Sequence, residues 1–128
     1  MSAENKAIVR RYFEAIDTGN LAALDELFAP TYVRHDPNAP EVKGREDLKR
    51  HLRMVYTASP DLCHTIEDML AEGDRVATRM TVCGTQTGGL MGIAPTGKQI
   101  TVTGMSIFRI ANGKIQEDWL NSDALGLL

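Results

Sequence analysis

Positive charge, cysteine, aromatic rings and long apolar runs are all scarce in this chain of 128 residues, and each shortage narrows what it can do. Fourteen Lys and Arg stand against 17 Asp and Glu, a net charge of −3. No basic stripe is left to neutralise a phosphate backbone, so nucleic acid is not an expected partner. No segment approaches the roughly 18 consecutive apolar residues of a membrane helix. The opening MSAENKAIVRRYF has neither the apolar stretch nor the small-residue cleavage site of a secretory signal, so no membrane partner and a cytoplasmic location are expected. Cys63 and Cys83 are the only cysteines, and without an export signal they read as free thiols rather than as a staple. His35, His51 and His64 fall on different predicted elements, and no CxxC or HExxH spacing exists, so no metal site is expected from the sequence.

What remains is the balance of an ordinary globular domain, 43% hydrophobic and 24% charged, in one unit over residues 1–128. Ile8, Val9, Tyr12, Phe13, Ala15 and Ile16 recur at three- and four-residue steps, which predicts a helix over 4–17 ended by Gly19. Asn20 is the expected N-cap of a second helix carrying Leu21, Leu24, Leu27 and Phe28, closed by Pro30. A short strand through Tyr32 and Val33 leads into a proline-bounded loop holding His35 and Asp36, and Gly44 opens a third helix with Leu48, Leu52 and Val55 on one face. Strand-like runs follow at 63–70, 75–87, 100–110 and 114–121, with Glu72-Gly73-Asp74 and Asn112-Gly113 as hairpin turns. Helices first and a meander afterwards predict an α+β fold, three helices on one side of a curved antiparallel sheet that forms a cone around a pocket.

Residues Gly92 to Lys98 spell G-x-x-x-x-G-K, but Gln99 replaces the Ser or Thr that a phosphate loop needs, and a strand rather than a helix follows. The stretch reads as a Gly/Pro-rich strand connection at the pocket rim, and whether 88–98 acts as a lid is left open. In the last strand Ile115, Glu117, Trp119, Asn121 and Asp123 share one face by alternation if no bulge intervenes, and Ile115 and Trp119 make it the buried face. Desolvation there would raise the Asp123 pKa toward that of a proton shuttle; the alternative is that Asp123 caps the turn at 124–126. Asn121 could orient a ligand carbonyl or satisfy backbone, and Glu117 and Asp118 read as solvent-facing or ion-paired. His35 is placed where loops edge a cavity, or on the surface bonded to its neighbours; His51 and His64 read as structural. Tyr12 falls on the apolar face of its helix, with a hydroxyl that needs a partner or aims into the pocket. Gly104, Ser106, Phe108 and Ile110 alternate with Thr103, Met105, Ile107 and Arg109, one set to line the pocket and the other to form a subunit interface in a homodimer.

Pro60-Asp61-Leu62, the run 71–79 (AEGDRVATR), Gly84-Thr85, Pro95-Thr96-Gly97-Lys98, Gly113-Lys114-Ile115, and Glu117-Asp118-Trp119 with Asp123 and Leu125-Gly126-Leu127-Leu128 together resemble the SnoaL-like polyketide cyclase or ester cyclase family. Val9-Arg10-Arg11-Tyr12-Phe13 and Asp17-Thr18-Gly19-Asn20 fit the same family, part of the nuclear transport factor 2-like superfamily. The resemblance implies an α+β cone, commonly dimeric, that uses no metal or organic cofactor and closes rings on a small hydrophobic carbonyl compound by aldol chemistry. It also implies that Asp123 is the general acid/base, at the last position of the E-x-W-x-x-x-D stretch. Relatives often carry histidine where Ser106 stands, which leaves the second proton-transfer group open. Two other readings compete. One is a limonene-type epoxide hydrolase using Arg109, Asp118 and Asp123; the other is a non-catalytic module that binds a hydrophobic ligand or only dimerises.

Overall fold

The computed structural model describes residues 2–85 and 99–123, so the glycine-rich stretch 88–98 and the turn at 124–126 lie outside the described residues. Helix α1, Ser2–Asp17, buries Val9, Tyr12, Phe13 and Ile16 on one face, as the spacing predicts. It stops where Thr18 turns its hydroxyl back to the Glu14 carbonyl (2.9 Å) and Gly19 takes φ +76°. A 3₁₀ turn at Leu21–Ala23 runs into the single-turn helix α2, Leu24–Leu27. Asn20 makes no side-chain cap bond there, contrary to the expectation. Helix α3, Arg45–Ala58, begins after Gly44, and the Asp47 carboxylate accepts from the backbone N–H groups of Lys43 (3.2 Å) and Gly44 (3.4 Å).

Five strands follow the order β1-β5-β4-β3-β2: β1 Phe28–His35, β2 Cys63–Glu72, β3 Arg75–Thr85, β4 Gln99–Ala111 and β5 Lys114–Ser122. The expected hairpins are present. Gly73 sits at φ +59° in the two-residue β2–β3 loop, and Asn112 and Gly113 take φ 55° and 73° between β4 and β5, the doubly left-handed turn that Asn-Gly favours. The sheet is mixed rather than wholly antiparallel, because β1 pairs with β5 in parallel. Phe28, read as helical, opens β1, and Pro30 lies inside the strand. β1 is an edge strand, where a missing N–H is tolerated, and its register slips between Phe28 and Val33. Cys63 and Cys83 face each other across β2 and β3, both as free thiols.

The core fills the concave side of the sheet. Val9, Phe13 and Ile16 from α1 and Leu48 from α3 meet Phe28, Val76, Phe108 and Ile115 from the strands. Gly84 marks a close approach on β3: a Cβ there would collide with Ser59 Oγ and stand 2.9 Å from Leu62 Cδ1. Gly84→Ala is therefore expected to cost about 1–3 kcal/mol by overpacking, read as a lower denaturant midpoint at unchanged slope.

Candidate functional site

Between the helices and the concave sheet face lies a cavity of about 530 Å³. Its lining is mostly apolar, including Phe13, Ile16, Leu52, Met80, Val102, Phe108 and Leu120, with Ser106 and Tyr12 among the polar members. A few convergent polar groups in an apolar hollow of this size is the usual form of a small-molecule site.

One group of polar side chains is built on β1 and β5. Arg34 and Asp118 are brought side by side by the parallel pairing, in which they are register partners. Arg34 Nη1 donates to Asp118 Oδ2 at 3.2 Å and to the Tyr32 hydroxyl at 3.5 Å, and its Nη2 stands 3.9 Å from Asp36 Oδ2. The Asp118 side chain is 1% exposed, and its second oxygen, Oδ1, is buried with no hydrogen-bond partner among the described residues. Burial pushes the Asp118 carboxyl above the usual range, with the Arg34 charge pulling the other way. Burial also disfavours charge on Arg34, but the groups around it, Asp118 foremost and then Tyr12 and Tyr32, together more than offset it, so the guanidinium stays charged. Burial raises the Tyr12 phenol, which keeps its proton. His51, on the same cavity, is held below the ordinary imidazole range by burial and then by the Arg34 charge.

A second group sits on β2. His64 lines the cavity, with its ring Nδ1 2.7 Å from Asp17 Oδ1. His51 and His64, read as structural, both face the hollow.

The sequence-derived site divides across the sheet. Tyr12, Ser106 and Phe108 line the cavity. Trp119, Asn121 and His35 project from the opposite face, where the His35 and Trp119 rings stack at 5.4 Å, Arg75 lies 5.0 Å over the indole, and His35 Nε2 is 2.6 Å from Glu117 Oε2. Asp123 is exposed just beyond β5 and is not among the cavity-lining residues. The cause is a β-bulge. Arg109 pairs with Glu117 but Ile110 pairs with Ile115, which leaves Gln116 as the extra residue, its amide donating to the Ala111 carbonyl at 2.8 Å. The bulge inverts the alternation after Ile115, so Asp118, Leu120 and Ser122 turn inward. Trp119 misled the phase, since a large ring can pack on an outer face beneath a cation and an imidazole. Arg34 carries no local signal, because its partner lies 84 residues away.

Among the described residues no cluster of three or more His, Cys, Asp or Glu could hold a metal ion, and no helix is long and apolar enough to cross a membrane.

Known proteins are similar to this chain in sequence and in fold. Aklanonic acid methyl ester cyclase DauD from Streptomyces sp. (strain C5) is 29% identical over 119 residues, 88% of this chain and 73% of its own. The solved structure of TsrD from Streptomyces laurentii superposes with a TM-score of 0.88 at 31% identity, covering 99% of this chain and 93% of that one. AclR from Streptomyces galilaeus gives 0.89 at 28%, covering 100% and 95%. The SnoaL-like polyketide cyclase family matches residues 6–128. With nearly its whole length matched, the chain belongs to the SnoaL-like polyketide cyclase family, enzymes of polyketide cyclase type.

Proposed function

We propose that the chain catalyses cofactor-independent acid–base chemistry, an aldol-type cyclisation or isomerisation, on a polyketide-like or other hydrophobic carbonyl compound, with Asp118 as the proton-transfer group. The observation that carries this reading is the free Oδ1 of Asp118. One carboxylate oxygen is held by Arg34, and the other is buried with no hydrogen-bond partner among the described residues, on a side chain that lines the cavity. A proton next to a carbonyl passes to Oδ1, the enolate carbon attacks a second carbonyl to form the C–C bond, and the resulting alkoxide takes the proton back. Tyr12 supplies a protonated phenol for an enolate oxygen, and Ser106 and Phe108 form the floor beneath the substrate. The test compares turnover of hydrophobic β-keto esters by Asp118→Asn and by Asp123→Asn. Loss in the first and retention in the second is expected; the reverse returns the role to Asp123, and ligand binding without turnover in wild type overturns the reading.

A second reading has its own observation. Two carboxylates, Asp118 and Asp36, flank Arg34 on the cavity side, a set able to activate water against an epoxide, whereas Arg109 lies on the outer face bonded to Glu117 at 3.3 Å. Oxygen-18 from water appearing in a diol product would favour it.

The outer sheet face exposes Val33, Leu70, Met105 and Ile107. A second copy of the chain, in a cytosolic homodimer, is the proposed cover. Ile107→Asp is expected to shift sedimentation from dimer to monomer, and a wild type that sediments as a monomer removes the proposal.

A further inference from the structure

His64 is a polar group on the cavity wall that the Asp118 chemistry leaves unused. It stands on β2, three strands from Asp118 in the sheet order, or about 14 Å along the sheet at the usual strand spacing. The two groups therefore mark different ends of one hollow.

Its orientation is fixed by one carboxylate. The His64 backbone N–H donates to Asp17 Oδ2 at 2.9 Å, the ring Nδ1 lies 2.7 Å from Oδ1, and the Tyr56 hydroxyl donates to that same Oδ1 at 2.8 Å. The ring also leans on Phe13, with centroids 5.2 Å apart. Burial pushes the Asp17 carboxyl up, but the bonds from His64 and Tyr56 outweigh it and hold the group below the usual range, so Asp17 is an ionised acceptor at neutral pH. A carboxylate that can only accept places the proton on Nδ1, and in the neutral ring Nε2 then presents a lone pair. Among the described residues nothing bonds that nitrogen. The same cavity wall also carries the apolar Ile16, Leu62 and Val82 beside Phe13.

We propose that His64, held by Asp17, is a second recognition point that accepts a hydrogen bond from a phenolic or enolic hydroxyl at the end of the substrate remote from the reacting carbonyl. The inference rests on the acid–base reading of the same cavity, which makes the ligand a carbonyl compound. Acidic hydroxyls suit the site because a stronger donor gives a stronger bond to imidazole, and an apolar wall favours a flat conjugated ring over a sugar or an alkyl alcohol.

The test uses β-naphthol and its methyl ether as probes, bound to wild type, His64→Phe and Asp118→Asn and followed by calorimetry. Wild type is expected to bind the naphthol roughly tenfold more tightly than the ether, the effect of one hydrogen bond made in a water-poor site. In His64→Phe the two probes bind alike, and in Asp118→Asn the tenfold preference stays. No preference in wild type, a preference that survives His64→Phe, one lost in Asp118→Asn, or no binding of either probe overturns the proposal. If His64→Phe does not fold, the Nε2 resonance of His64 in wild type decides: it moves on naphthol addition, or the proposal fails. Turnover does not enter these measurements, so an active Asp118→Asn enzyme would sink the acid–base reading while leaving the naphthol result to stand or fall alone.

Discussion

Asp118→Asn is expected to lower kcat/KM for a hydrophobic β-keto ester by roughly 10²–10⁴, the usual contribution of a positioned general acid–base group. The asparagine keeps the shape of the carboxylate and can still accept from Arg34, but it cannot take a proton from carbon. The loss should fall on kcat more than on KM, since the apolar lining that holds the ligand is untouched. Steady-state kinetics and probe binding on the same preparations separate the two. A variant with near-wild-type kcat would show that the buried Asp118 is only the counter-charge of Arg34.

Arg34→Met carries the second large effect, this time on folding. The Arg34 side chain is 8% exposed and Asp118 is 1% exposed, so the substitution strands a buried carboxylate, a change that costs about 3–5 kcal/mol. The pH dependence gives the sign. Burial already raises the Asp118 pKa in the folded protein, and removing the cation that opposes it raises the value further. A carboxyl whose folded pKa lies above its unfolded one destabilises the fold where it is ionised, and the penalty shrinks as pH falls through the folded value toward the unfolded one. The stability gap between wild type and Arg34→Met should therefore narrow on acidification from neutral pH. Urea unfolding at several pH values measures it, and a gap that widens would mean that Asp118 is ionised against some other charge.

Most of the architecture could be read from the chain. Val9, Tyr12, Phe13 and Ile16 declare α1 by spacing alone, and Asn112-Gly113 fixes the last hairpin because few other pairs accept two left-handed residues in succession. Local signals end there. The parallel β1–β5 pairing leaves no trace in either strand, so neither the mixed sheet nor the meeting of Arg34 with Asp118 could be anticipated. The site was half legible. Tyr12, Ser106 and Phe108 follow the core pattern into the cavity, whereas one extra residue at Gln116 sends Trp119 and Asn121 outward and Asp118 inward. His64 gave no warning, since what distinguishes it is the end of a distant helix, Asp17.

The parallel pairing also sets an order of events during synthesis. Arg34 leaves the ribosome long before Asp118, 84 residues later, and until β5 is made its guanidinium has no carboxylate from that strand to meet. The nascent first half thus has a reason to stay open and hydrated, since closing early would bury the guanidinium with only the 3.9 Å contact to Asp36 to balance it. Folding waits for the C-terminal strand to dock between β1 and β4, a long-range closure that is slow by its topology. Chains released before β5 would lack an interior strand of the sheet rather than its rim, and with an unpaired β4 edge they become substrates for aggregation or proteolysis.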